Sequence, residues 1–217
     1  ALGQMAAGIT HEIANPLASM DSLLQLLQRK PERVTEEKLQ TLRTQIERIN
    51  QIVRQMTTFA HPDSGQWEAM EVNDITELAL EMLRFDKRLK AVRLVKQYSP
   101  SAGRAKVMPQ AIQQVLINVI GNALDAMAES KDPELCLRTG REGKFCTIAV
   151  IDCGHGIAPE NLTRIFEPFF TTKPLGKGTG LGLSISYSLM EKQGGSIRAE
   201  NRKEGGCIFT IRLPAVS

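Results

Sequence analysis

His11, Glu12 and Asn15 stand close together on a stretch whose apolar residues recur at helical spacing. His11 lies two residues from both Ile9 and Ile13, which puts it about 200° round a helix from either. It is therefore expected to face solvent, away from the apolar stripe. An exposed imidazole beside a carboxylate can act as a nucleophile. Glu12 can accept the departing proton, or hold the ring tautomer that leaves the other nitrogen's lone pair free. A plain solvated helix face would carry the same two residues. The Asn15-Pro16 pair argues against so bland a reading, because a proline inside a helix costs about 3 kcal/mol. Selection for function is one way such a cost persists.

A second group of residues follows about 100 positions later. Asn118 and Asn122 are four apart, so on a helix their amides project from one face, with Asp125 near it. Amide oxygens suit Mg²⁺, which is usually held together with waters and substrate phosphates. Polar helix surface is the plain alternative. Yet Val115, Leu116, Ile117, Val119, Ile120, Ala123 and Leu124 surround the two asparagines, and amides buried in such a run need partners. Asp152 ends the apolar run Thr147-Ile148-Ala149-Val150-Ile151, where a carboxylate can accept from an exocyclic amine such as that of adenine. Gly154 and Gly156 let the backbone approach a flat base. Gly176, Gly178, Gly180 and Gly182 precede and open a helical stretch, an arrangement that attracts phosphate through backbone amides and the helix dipole.

Any one of these glycine clusters is no more than a turn signal. Three elements in this order, framing a long loop, describe a nucleotide pocket. Gly178-x-Gly180-x-Gly182 departs from the dinucleotide pattern and follows no clear strand, so a Rossmann-type site is excluded. Within the loop, Phe166, Phe169 and Phe170 need burial and read as the anchor of a lid. From such a lid Lys173 and Thr171 or Thr172 could reach phosphates. Lys173 fits an ordinary solvated cation equally well.

These residues need elements to hold them. Leu2, Met5, Ile9, Ile13, Leu17, Met20, Leu24 and Leu27 form one stripe of a long helix, which Pro16 should bend locally. Leu39, Leu42, Ile46, Ile49, Val53, Met56 and Phe59 form a second stripe that ends near His61-Pro62. A hairpin with one apolar seam per helix cannot bury both alone, so two hairpins are expected to pair as a dimeric four-helix bundle. Asp63-Ser64-Gly65-Gln66 is turn-rich and marks a boundary. The expected division is residues 1–62, a linker at 63–67, and a second domain at 68–217.

In that second domain the pattern predicts strands near 68–72, 92–98, 105–108, 135–139, 145–151, 196–201 and 206–213. It predicts helices near 73–87, 109–129 and 181–192. Interleaved elements of this kind give an α+β chain whose second part is an α/β sandwich, one sheet layered against helices. The loop from about Ala158 to Gly180 is long for a compact domain, as functional loops often are.

Composition narrows the class. The chain has 217 residues and a net charge of +3, too small and too evenly spread to argue for nucleic acid. No run approaches the roughly 20 apolar residues of a membrane span, and there is no signal peptide. The chain opens inside a helical pattern at Ala1-Leu2-Gly3-Gln4-Met5, as a piece of something longer would. Cys136, Cys146, Cys153 and Cys207 lack metal-ligand spacing and read as reduced thiols of a cytoplasmic protein.

On these residues the chain resembles the sensor histidine kinases of two-component signalling along essentially its full length. His11 to Leu17 is similar to the H box, and Asn118 to Met127 to the N box. Asp152 to Ile157 resembles the G1 box, Phe166 to Phe170 the F box, and Gly178 to Leu183 the G2 box. Gly205-Gly206 through Pro214 resembles the last glycine motif and closing strand. The segment ending Phe59-Ala60-His61-Pro62 and the form Asn122-Ala-Leu-Asp-Ala-Met look most like kinases related to the nitrogen-regulation sensor.

The resemblance implies a dimerisation and phosphotransfer hairpin followed by a gyrase-like ATP-binding domain. It implies His11 as phospho-acceptor, Glu12 as general base, and Asn15 as the residue that orients water when the enzyme dephosphorylates its partner. It implies Mg²⁺ at Asn118 and Asn122, with the adenine amine read by Asp152. Asp125, Gly154, Gly156, Phe166, Lys173, Gly178, Thr179, Gly180, Leu181, Gly182 and Thr210 are the further residues expected at ATP. The implied partners are a second copy of the chain and the receiver domain of a response regulator, with any membrane segment upstream. His155, at a variable position of the G1 box, receives no role. Two competing readings stand beside this one. A gyrase-type ATPase would have the same pocket, but the His11-Glu12-x-x-Asn15-Pro16 helix and the lack of a water-activating Glu at position 118 oppose it. A degenerate dimerisation module would keep the hairpin without turnover, which the intact Asn122, Asp152 and glycine motifs oppose.

Overall fold

The computed structural model describes residues 2–30, 33–60, 66–174 and 178–216; side chains at 2–12, 48, 51 and 54–60 lie outside the described residues. By Cα proximity the chain falls into two compact units, Ala1–His61 with Pro168–Leu181, and Pro62–Glu167 with Gly182–Ser217.

In the first unit α1 (Leu2–Arg29) and α2 (Glu36–Ala60) form the expected hairpin. α1 runs unbroken through Pro16, which is buried. Thr35 starts α2: its hydroxyl accepts from the Lys38 amide at 3.4 Å and its carbonyl from the amides of Lys38 and Leu39 at 3.1 Å. Glu36 and Glu37 follow in the first turn, where negative charge suits the helix dipole. Leu27 and Ile52 are buried, whereas Leu17, Leu24, Leu39, Ile46 and Val53 are between 41% and 50% exposed. The apolar stripes therefore exceed what one hairpin covers.

The second unit is a mixed sheet layered on helices. Its five strands run in the order β2 (Arg93–Gln97), β4 (Glu134–Glu142), β5 (Phe145–Ile151), β7 (Cys207–Pro214), β6 (Ser196–Asn201). β2 pairs parallel to β4, and the other neighbours are antiparallel. β1 (Glu68–Glu71) and β3 (Arg104–Val107) make a separate antiparallel pair. Helices α3 (Val72–Met82), α5 (Pro109–Ala126) and α6 (Gly182–Lys192) form the other layer, with a single turn α4 (Lys87–Lys90) beside α5. Along β7 the buried row is Cys207, Phe209, Ile211 and Leu213, meeting Cys146, Ile148 and Val150 of β5.

α5 is the central helix of the layer. Pro109 opens it with an amide that a helix start does not need. Just ahead of it, the Met108 amide donates to the buried Gln193 Oε1 at 3.0 Å. Ala111, Ile112, Val115, Leu116, Val119, Ile120, Ala123 and Leu124 form its buried stripe, and Asn118 and Asn122 sit half-buried beside it.

Three elements differ from the sequence expectation. The helix predicted to reach residue 87 stops at Met82, because Asp86 caps a new turn by accepting the Arg88 amide at 2.9 Å. The helix predicted to end at 129 stops at Ala126, where Met127 turns out of helical geometry. The strand predicted to end at 139 continues to Glu142, because pairing with β5 across the Gly143-Lys144 turn carries the polar stretch Gly140-Arg141-Glu142 along. The four cysteines are free, with Cys136, Cys146 and Cys207 buried and Cys153 half-buried. Among the described residues no helix is long and apolar enough to cross a membrane.

Leu116 is fully buried in this layer. Leu116→Ala should lower stability by about 2–5 kcal/mol, read as an earlier midpoint in urea unfolding. An unchanged midpoint would show that α5 is not part of the core.

Candidate functional site

Asp152 lies just past β5 and is 2% exposed. Its Oδ1 accepts from the Gly154 amide at 2.8 Å and the Cys207 amide at 3.2 Å. Both bonds fall on one oxygen, so among the described residues Oδ2 meets no donor. Burial pushes the Asp152 carboxyl above the ordinary range, opposed by the two amide bonds and the charges of His155 and Arg202. A buried carboxylate with one oxygen tied down presents the other to a single donor, as an exocyclic amine would require.

The walls around Asp152 are backbone. A Cβ on Gly154 would lie 2.5 Å from the Ala126 carbonyl oxygen at the end of α5. Gly206 has φ +87°, and a Cβ there would lie 2.1 Å from the Asp152 carbonyl oxygen. Any side chain at position 206 would therefore displace Asp152. Asn201 closes the loop that holds Gly156: its Oδ1 accepts from the Ile157 amide at 2.8 Å and its Nδ2 donates to the Ile157 carbonyl at 2.5 Å. Arg202 donates to the Asp152 carbonyl at 2.9 Å. Burial pushes the Cys207 thiol up to about 12, with the Asp152 charge adding to the effect, so Cys207 stays neutral beside the carboxylate.

Sequence reasoning attached no contact to Asn201, Arg202, Gly206 or Cys207. The Gly205-Gly206 pair was the one local sign. Asn201 and Arg202 act only because the β6–β7 pairing brings the end of β6 beside the Asp152 loop, which no local pattern encodes. Thr210 sits in register with Ala149 and Arg198, off the buried row of β7 and three residues along from Cys207.

Asn118 faces α6. Its Nδ2 donates to the Gly182 carbonyl at 3.1 Å and to Ser186 Oγ at 3.2 Å, and its Oδ1 accepts from Gln114 Nε2 at 2.9 Å. Asn122 is half-buried one turn further on. Asp125 pairs with Arg88, which also holds Asp86 at 2.6 Å, and so ties α4 to α5. The donor set fits a hard cation: amide oxygens are neutral, and Asn118 Oδ1 keeps a second lone pair.

Phe166 stacks against Tyr187 of α6, with ring centroids 5.6 Å apart and planes tilted by 46°. This contact anchors the start of the long loop, whose first turn is a 3-10 turn at Pro159–Asn161. Lys173, Gly178, Thr179, Gly180 and Leu181 belong to the other unit. There the Phe169 amide donates to the Gly180 carbonyl at 3.0 Å, which closes the neck of the loop. Gly180 has φ +64° and Phe169 φ 67°, a conformation uncommon for a residue with a side chain. Thr171 Oγ1 accepts from the Lys173 amide at 3.1 Å, and Thr179 Oγ1 from the Leu181 amide at 3.3 Å. Gly176 and the linker residues 63–65 lie outside the described residues.

Positions 11 and 12 fall within α1, but the side chains of His11 and Glu12 lie outside the described residues. Asn15, one turn on, is exposed.

Residues 108–217 match the family of histidine kinase-, DNA gyrase B- and HSP90-like ATPases. Residues 1–65 match the His kinase A phospho-acceptor domain. Sensor histidine kinase ZraS of Klebsiella oxytoca is 31% identical over 216 residues, covering 99% of this chain and 46% of that protein. Sporulation kinase D of Bacillus subtilis is 35% identical over 216 residues, covering 98% of this chain and 42% of that protein. The chain thus spans less than half the length of these curated relatives. Among solved structures, histidine kinase ThkA in complex with the response regulator protein TrrA shares the fold. It has a TM-score of 0.80 at 22% identity and covers 99% of this chain and 62% of that one. These matches do not establish the narrower likeness to nitrogen-regulation kinases. The chain belongs to the histidine kinases, and carries the phospho-acceptor and ATPase modules that form the catalytic core of a two-component sensor kinase.

Proposed function

We propose that the chain binds ATP at Asp152, transfers its γ-phosphoryl group to His11, and passes that group to an aspartate on the receiver domain of a response regulator. The observation that carries the reading is the buried Asp152 carboxylate, with one oxygen committed to backbone amides and the other meeting no donor among the described residues. That geometry suits the adenine amine. The phospho-acceptor module in the same chain supplies the nucleophile. Asn118 and Asn122 would hold Mg²⁺, which would offset the charge of the phosphates.

In the first step the bond between the γ-phosphorus and the bridging oxygen opens, a P–N bond forms to the imidazole, and ADP leaves. Glu12 takes the ring proton. In the second step the P–N bond breaks as a receiver carboxylate oxygen attacks the phosphorus. Asn15 is proposed to orient water for the reverse task, hydrolysis of the regulator's acyl phosphate. Lys173, the Gly178–Gly182 segment and the Phe166 anchor are proposed as the lid over the phosphates. With two modules at residues 1–62 and 68–217, joined by a linker, the reaction requires the ATPase module to approach the hairpin. The exposed positions Leu17, Leu24, Leu39, Ile46 and Val53 support a second copy as the cover of the hairpin.

Incubation with γ-labelled ATP and Mg²⁺ tests the core of this reading. The wild type should acquire acid-labile, base-stable label and His11→Gln none, while both bind ATP equally. Steady phosphate release without label would instead indicate a hydrolysing ATPase, and no nucleotide binding a module without turnover. Leu24→Asp combined with Ile46→Asp should convert a dimer to a monomer by light scattering. A dimer that survives both changes places the partner contact elsewhere.

Asp152 gives the reading a pH signature. Only its ionised form accepts from the amine on Oδ2, and its carboxyl titrates above the ordinary range. Adenosine affinity should therefore fall as pH drops through that raised value, at higher pH than an exposed aspartate would give. Asp152→Asn should bind roughly tenfold or more weakly and lose this acidic limb. An Asp152→Asn variant that retains it would mean another group controls the titration.

A further inference from the structure

A primary amide has a donor end and an acceptor end, and a cation can use only the acceptor. What turns the Asn118 amide the right way is therefore a functional question. Three hydrogen bonds on α6 bear on it. Asn118 Nδ2 donates to the Gly182 carbonyl at 3.1 Å and to Ser186 Oγ at 3.2 Å, and Ser186 Oγ donates to the same carbonyl at 2.9 Å. Ser186 is 0% exposed. A carbonyl oxygen can only accept, so Gly182 takes the hydroxyl's single hydrogen and leaves Ser186 a lone pair toward Asn118. Two acceptors then meet the same end of the amide. A half-turn of the amide would set Oδ1 against the Gly182 oxygen and the Ser186 lone pair, both repulsive. In the observed orientation Oδ1 accepts once from Gln114 Nε2 at 2.9 Å and keeps its other lone pair.

We infer that Ser186 is a positioning residue for the cation site: its buried hydroxyl holds the Asn118 amide by nitrogen, so that Oδ1 is presented to the Mg²⁺ of the bound nucleotide. The inference rests on Asn118 being a cation ligand. Ser186 lies four residues beyond Gly182, outside the glycine motif, and acts only through Asn118. Its loss would leave Nδ2 with one acceptor and remove half of the barrier to a turn of the amide. Nothing in this arrangement touches Asp152, so the adenine end should not respond.

The test uses the whole chain and a fluorescent ATP analogue, whose binding is measured in EDTA and then across a Mg²⁺ titration. Thr and Val have the same shape, so Ser186→Thr and Ser186→Val separate the hydroxyl from its volume, and Ser186→Ala avoids crowding. In EDTA all three variants should bind within about twofold of the wild type. Ser186→Ala and Ser186→Val should need about tenfold more Mg²⁺ at half-saturation, the scale expected when support behind a metal ligand is lost. Ser186→Thr should stay near the wild type. A Ser186→Ala midpoint equal to the wild type overturns the inference. So does an equal loss of affinity with and without Mg²⁺, which would mark a merely structural role. Asn118→Ala separates the two levels: if its Mg²⁺ midpoint is unchanged, the cation-ligand reading of Asn118 itself has failed.

Discussion

A carboxylate buried to 2% exposure is unfavourable unless the backbone around it is committed to holding it. Much of the second unit follows from that commitment. Asp152 Oδ1 takes amides from the following loop and from the start of β7. The Gly206 backbone presses on the Asp152 carbonyl, and Arg202 donates to the same atom. Asn201 then clips the loop at both polar atoms of Ile157. These contacts come from β5, β6, β7 and the loop after β5, so the antiparallel order of the sheet is what makes a polar socket possible. The raised carboxyl also couples binding to folding. A carboxyl raised by burial favours the folded chain at low pH, and that contribution is lost as pH rises through the raised value. A donor on Oδ2 stabilises the ionised form and would restore part of it.

How far the sequence reveals this depends on distance along the chain. The α5 stripe, the Pro109 start, the Phe145–Ile151 strand and Asp152 at its end all follow local rules, and the structure has them at or near the expected positions. The misplaced helix end at Met82 also has a local cause, since Asp86 competes as a cap within a segment of otherwise helical composition. Asn201 and Ser186 are different. Each is an ordinary polar residue in its own element, and each gains a role only from a partner 44 or 68 residues away. Periodicity and motif spacing carry no information about such pairs. The recognisable glycines mark where backbone must come close, while the side chains that lock those approaches are anonymous in one sequence.

The hairpin poses the opposite problem. Its helices are strongly written, with Thr35 capping α2 and apolar positions at regular spacing, yet among the described residues one copy leaves Leu17, Leu24, Leu39, Ile46 and Val53 of the seam exposed. In water such a surface favours a partner. The hairpin therefore leaves apolar surface uncovered, whereas the sheet unit buries its own core. That division fits a chain in which one module assembles and the other binds the small molecule.

α5 shows how both demands share one helix. Its buried stripe fixes the helix against the sheet, and the half-buried flank beside it carries Asn118 and Asn122. The rigid stripe means that the Asn118 amide cannot be adjusted by moving the helix, so its orientation has to be set by hydrogen bonds from a neighbour. α6 supplies them through Gly182 and Ser186, and α6 is also the helix that the glycine-rich segment opens and that Tyr187 joins to Phe166.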